Sequence, residues 1–262
     1  MERKYGIDIK WLAVTSFEFR CGNTTVVSDP YITECVGTDC TWENVEDCDI
    51  MLLGHAHWDH ITDIPRLVDK FHPLILCGDQ TALPMAQWLN YTPTRIYPMY
   101  PDLELDFGDV KIKALYGRHT DLLDGYNDLC ENRLYKNEFA LADPGIKALQ
   151  GIGSLEYRNF LLTLPNGTKV LLWGNDPTIE QVHICKTLAP DIAIIQNSSR
   201  ADVAAKRAEL AALSGAKVLI PHHHDFCQTD DPSVLDNLKN EFLKRVPDGT
   251  FIVPKHGEWI HL

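Results

Sequence analysis

Apolar positions alternate with polar ones near the start of the chain and then switch repeatedly to helical spacing, so the pattern predicts strands and helices in turn. Two stretches look like copies of one unit. In the first, Phe17-Glu18-Phe19-Arg20, a Cys21-Gly22-Asn23 turn and Thr24-Thr25-Val26-Val27-Ser28 lead to Asp29-Pro30. In the second, Asn159-Phe160-Leu161-Leu162-Thr163-Leu164, a Pro165-Asn166-Gly167 turn and residues 168–175 lead to Asp176-Pro177. Turn residues between β-branched and apolar runs predict a hairpin in each.

After the first hairpin the periodicity predicts a strand over 49–53, a helix over 64–71, a strand over 74–77, a helix over 81–91 and extended segments over 95–99, 103–107 and 110–116. After the second it predicts a helix over 178–188, a strand over 191–196, a helix over 201–213 and a strand over 217–220. Asp231 then caps a helix with Pro232 in its first turn and Leu235, Leu238, Phe242 and Val246 as an apolar stripe. Two similar halves, each strand-rich with helices on one side, predict an α+β fold: a four-layer αββα sandwich in one domain over 1–262. The periodicity fails in the middle, which predicts an insertion at about 120–158. A stretch of that length is either a cover over a binding site or a solvated excursion with one short helix around 146–150.

The densest chemistry follows the apolar run that ends at Leu53, in Gly54-His55-Ala56-His57-Trp58-Asp59-His60. In an extended loop residues two apart point the same way, so His55 and His57 can bind one ion while Asp59 and His60 turn toward a second. A loop that merely contains histidines is the competing reading, but crowded unpaired imidazoles lose hydration and repel, and a cation that binds them neutral removes the conflict. Further ligand-type residues stand just past predicted strands: His119, Asp176 and the run His222-His223-His224.

With these residues in place the chain resembles the metallo-β-lactamase superfamily, whose His-x-His-x-Asp-His signature is matched by His55, His57, Asp59 and His60. The resemblance covers nearly the whole chain apart from the insertion. It implies that His55, His57 and His119 hold a first metal, that Asp59, His60 and one histidine of 222–224 hold a second, and that Asp176 bridges the two. It also implies a supporting role for Asp29 beneath the histidine loop. Relatives read Pro-x-His-x-Asp at the last motif, which makes His223 the expected ligand and leaves His222 and His224 as neighbours that orient substrate or pack. The initial hairpin ending in Asp-Pro and the closing Pro254-Lys255-His256-Gly257-Glu258-Trp259, read as a strand, are similar to the branch containing ascorbate-6-phosphate lactonase.

Two divalent cations sharing a water lower its pKa and supply hydroxide, so the expected activity is hydrolysis of a small ester, lactone or phosphoester. Zinc suits the nitrogen and oxygen donors, and manganese or iron accepts the same set. Asp59 belongs to the reacting centre, and His224 is the candidate to pass a proton to the leaving group, with His222 beside it. Arg118, Arg158 and Arg200 are candidates for an anionic group on the substrate, against the alternative that each is a solvated surface charge. A non-catalytic metal-binding scaffold or sensor is the competing function.

Charge narrows the partners. Lys and Arg number 24 against 37 Asp and Glu, a formal charge of -13, which disfavours nucleic acid and anionic membranes. No apolar run suits a bilayer span or an export signal, and eight scattered cysteines fit a reducing cytoplasm. A small-molecule substrate is the expected partner, and a homo-oligomer is left open.

Overall fold

The structure is a computed structural model that describes residues 4–118, 142–174, 179–197, 201–225 and 233–262. Strands β1 (Asp8–Ala13), β2 (Ser16–Cys21) and β3 (Thr24–Ser28) form an antiparallel meander. The sheet continues in parallel through β4 (Ile50–Leu52), β5 (Leu74–Cys77) and β6 (Ile96–Pro98). Its crossovers carry the short helix α1 (Trp58–Ile61), α2 (Ile64–Phe71) and α3 (Asp79–Leu89).

The second sheet begins with β7 (Glu104–Asp106) and β8 (Lys111–Gly117). Helix α4 (Pro144–Leu155) then leads into β9 (Tyr157–Thr163) and β10 (Lys169–Trp173), still antiparallel. Parallel strands β11 (Ile192–Gln196), β12 (Val218–His222) and β13 (Thr250–Phe251) follow, separated by α5 (Ile179–Leu188), α6 (Ala201–Ser214) and α7 (Ser233–Arg245). Strand β14 (Trp259–His261) returns to pair with β1, so the chain's last strand closes the edge of the first sheet.

Period-two alternation explains the layering. Leu52 points into a core shared by both sheets, with Phe17, Phe19, Phe160, Leu172 and Ile194, while its neighbours Met51 and Leu53 point into a second core beneath α2, α3 and α4. Likewise Ile194 faces the other sheet and Ile195 faces α6 and α7. Strands covered on both faces read as continuous apolar runs, as the 50–53 segment does. The result is two packed mixed sheets with helices outside, in the αββα order predicted.

The structure differs from the sequence expectation at several boundaries. Helix α3 starts at Asp79 instead of 81 because a distant carboxylate, Glu156, accepts from Gln80 N (3.3 Å), Thr81 N (3.1 Å) and Thr81 Oγ1 (2.9 Å). The short helix expected around 146–150 is the twelve-residue α4, whose N-terminal N–H groups at Gly145 and Ile146 bond to Asp143. The far end of the expected 120–158 insertion is therefore packed structure, with β9 already under way at Tyr157. Residues 254–258 precede the closing strand instead of forming it.

Candidate metal centre

The histidine loop leaves β4 at Leu52 and is held by its backbone. Gly54 N–H donates to Asp29 Oδ1 at 2.7 Å, and Gly54 O accepts from Arg158 N at 2.7 Å. A Cβ on Gly54 would stand 3.1 Å from Asp29 Oδ2, so glycine allows this close approach. Asp29 itself adopts φ +39°, which turns its carboxylate back toward the loop. His57 is the extended N-cap of α1, and Trp58, Asp59, His60 and Ile61 in that helix are all buried.

The other half of the chain reaches the same place through β12. His223 follows the strand at φ +65°, and its N–H donates to Val14 O at 3.0 Å. Val14, in the β1–β2 turn, sits at φ +45°, a costly conformation for a β-branched residue (about 1–3 kcal/mol) that persists only when its surroundings impose it. They do so from both sides: Asp225 Oδ2 accepts Val14 N–H at 2.8 Å, and Trp11 Nε1 donates to Val14 O at 3.1 Å.

These loops bring Asp59, His60 and His223 together. All three are buried, and one ligand atom from each lies within 4.8 Å of the other two. Asp59 Oδ2 stands 4.0 Å from both His60 Nε2 and His223 Nε2. The other nitrogen of His60, Nδ1, lies 3.0 Å from Thr15 Oγ1 and 3.3 Å from Asp29 Oδ1, which orients Nε2 toward Asp59. Burial pushes the His223 imidazole down to about 4 against the opposing pull of Asp59, so the ring is neutral at physiological pH and offers a lone pair. One carboxylate and two imidazoles, buried and convergent from two halves of the chain, fit a divalent cation. His55 joins this group through its ring, 3.9 Å from the His60 ring and 4.5 Å from that of His57, and it stacks on Tyr157 at 4.7 Å.

Other expected site residues fall elsewhere. His119, Asp176 and Arg200 lie outside the described residues. Arg118 is exposed just past β8. Arg158 corrects the sequence expectation, because its guanidinium serves the protein: Nε donates to Met99 O (2.8 Å), Nη1 to Tyr157 O (3.0 Å) and Nη2 to Asp79 (2.8 Å) and Glu156 (3.0 Å). His222 is a second correction. It has no exposed surface, its Nε2 lies 3.1 Å from Trp173 O, and its ring meets Phe17 edge-on between the sheets, out of reach of a substrate. His224 stacks on Trp11 at 4.6 Å, and burial pushes it down to about 4.

Several site residues escape a reading of the sequence. Thr15 meets His60 from a hairpin turn, while Gln150, whose Oε1 accepts Trp58 N–H, and Gly153, pressed against His57, touch the loop from a helix whose local pattern is merely amphipathic, so no linear signal marks them. Asp225 carries one, being the Asp of Pro-x-His-x-Asp: its carboxylate joins Val14 N–H to His256 Nε2 at 3.1 Å.

No protein-family model matches the chain. It is 26% identical over 242 residues to a UPF0173 metal-dependent hydrolase of a Geobacillus species, spanning 91% of this chain and 92% of that protein. A protein of the same description from Anoxybacillus flavithermus is 34% identical over 96 residues, 36% of this chain and 40% of that one. Among solved structures, Igni18, a metallo hydrolase from Ignicoccus hospitalis, superposes with a TM-score of 0.70 at 14% identity, covering 97% of both chains. The metallo-β-lactamase fold protein YhfI from Bacillus subtilis gives 0.65 at 15% identity, covering 97% of this chain and 98% of that one. At these identities the two structures establish likeness of fold.

Proposed function

We infer that this chain, which has the metallo-β-lactamase fold, is a metal-dependent hydrolase with a dinuclear centre acting on a small ester, lactone or phosphoester. The observation that carries this reading is the buried convergence of Asp59, His60 and His223 at the junction of the two halves. Asp59, His60 and His223 would hold one cation. His55, His57 and His119 would hold the other, with Asp176 between them. When bound, zinc ions would supply a water that ionises near neutral pH and positive charge opposite the anion that develops during hydrolysis.

The chain's own residues prepare that chemistry. Asp29 and Thr15 fix the His60 ring through Nδ1. Burial holds His223 in its neutral, donor-ready form. Arg118, exposed past β8, would meet an anionic group on the substrate, and His224, adjacent to His223, would take up a proton released at the centre and hand it on to the leaving group. Six cysteines among the described residues are free thiols, which supports a reducing cytoplasm as the setting. No helix among the described residues is long and apolar enough to cross a membrane.

The test is elemental analysis of purified protein together with turnover of chromogenic phosphodiesters, phosphomonoesters and lactones, with and without chelator. We expect two equivalents of metal, chelator-sensitive turnover, and loss of metal in His223→Ala with retention in His222→Ala. Metal-free protein, or full metal content in His223→Ala, refutes the centre. Silence across the panel with both metals bound refutes the hydrolase and leaves the scaffold.

A further inference from the structure

Helix α4 lies directly against the loop that presents the metal-site residues. It is anchored at both ends to α3. Asp143, its N-cap, also accepts from Trp88 Nε1 at 3.0 Å, and Glu156, just past its last turn, caps the start of α3. Between these anchors two residues meet the histidine loop. Gln150, 4% exposed, accepts the Trp58 backbone N–H through Oε1 at 3.1 Å. Gly153 faces His57 so closely that an added Cβ would lie 2.5 Å from His57 Cδ2 and 2.7 Å from both His57 N and Ala56 C.

The local chain cannot set this geometry alone. A four-residue helix is far too short to be stable by itself, and the N-cap of α1, His57, makes no side-chain capping bond. The orphan donor at Trp58 therefore finds its acceptor on α4. We propose that Gln150 and Gly153 are positioning residues for the metal centre: Gln150 orients the turn bearing Asp59 and His60, and Gly153 sets the place of His57. The proposal rests on reading the site as a metal centre. It makes α4, at the end of the inserted stretch, a determinant of metal affinity.

The test titrates chelator-stripped protein with zinc against a chromogenic competitor, and with cobalt to read the visible spectrum of the bound ion. Gln150→Leu keeps the volume and removes the acceptor, whereas Gln150→Glu keeps an acceptor at the start of a helix. Loss of such supporting bonds weakens metal binding about 10- to 100-fold, which is the effect expected for Gln150→Leu. Gln150→Glu should bind as the wild type does. Gly153→Ala should weaken the equivalent held by His57 and shift the cobalt spectrum. Wild-type affinity in Gln150→Leu, or equal losses in Gln150→Leu and Gln150→Glu, overturns the proposal without relying on how well Gly153→Ala folds. A wild type that takes up no zinc overturns the underlying metal reading, and this is seen before any variant is compared.

Discussion

Asp29 offers the sharpest test of how the loop is held. Its Oδ1 accepts Gly54 N–H at 2.7 Å and lies 3.3 Å from His60 Nδ1, so one carboxylate fixes both the start of the histidine loop and the orientation of a ligand. In Asp29→Ala the buried Gly54 N–H loses its acceptor, at about 1–3 kcal/mol of stability. His60 keeps Thr15 at Nδ1 but loses the charged partner there, and metal affinity should fall about 10- to 100-fold, equivalent to about 1.4–2.8 kcal/mol. Asp29→Asn keeps an acceptor for Gly54 but loses the charge, so it should recover most of the stability and less of the affinity. Urea unfolding of the metal-free protein measures the first quantity, and zinc competition the second. If Asp29→Ala loses stability but binds zinc as tightly as the wild type, Asp29 supports only the backbone and the argument about His60 is wrong.

Removing Arg158 should damage the fold and spare the chemistry: Arg158→Met takes the counter-charge from the buried Glu156 carboxylate, which keeps its bonds to the start of α3, costing up to about 3–5 kcal/mol in unfolding experiments, with metal content unchanged. A change in metal content without that loss would restore it as a site residue. Gly78→Ala would place a Cβ 1.9 Å from Glu156 Cδ, displace the cap on α3 and destabilise the protein by about 1–3 kcal/mol, measurable as a lower urea midpoint. Burial pushes the thiols of Cys21, Cys35 and Cys185 up to about 12 from an ordinary 9. The unfolded chain then loses these protons first, so their contribution is complete below pH 9 and declines as pH rises from 9 toward 12. An unfolding midpoint that holds steady over that alkaline window would contradict it.

Much of the architecture is legible along the chain because buried strands and amphipathic helices have periods of two and 3.6, which local sequence displays. Helix α2 begins and ends where its periodicity predicts. Helix α3 does not, because its first turn is completed by Glu156, seventy-five positions away from Thr81. The same distinction runs through the site. His-x-His-x-Asp-His announces metal chemistry because four ligand-type residues in six positions are costly to bury without a cation.

The order of strands and helices, the candidate ligand loop and the acidic character of the chain were thus determined by the sequence itself. The likeness of the run at 221–225 to Pro-x-His-x-Asp already favoured His223, and the tertiary structure brings it against Asp59 and His60; only that structure decided that His222 is packed between the sheets and Arg158 is spent on the protein. The physical reason is that these outcomes depend on the left-handed turn at His223, the strained Val14 that receives its N–H, and the buried partners supplied by distant strands. Contacts between residues far apart in the chain leave no periodic trace in it.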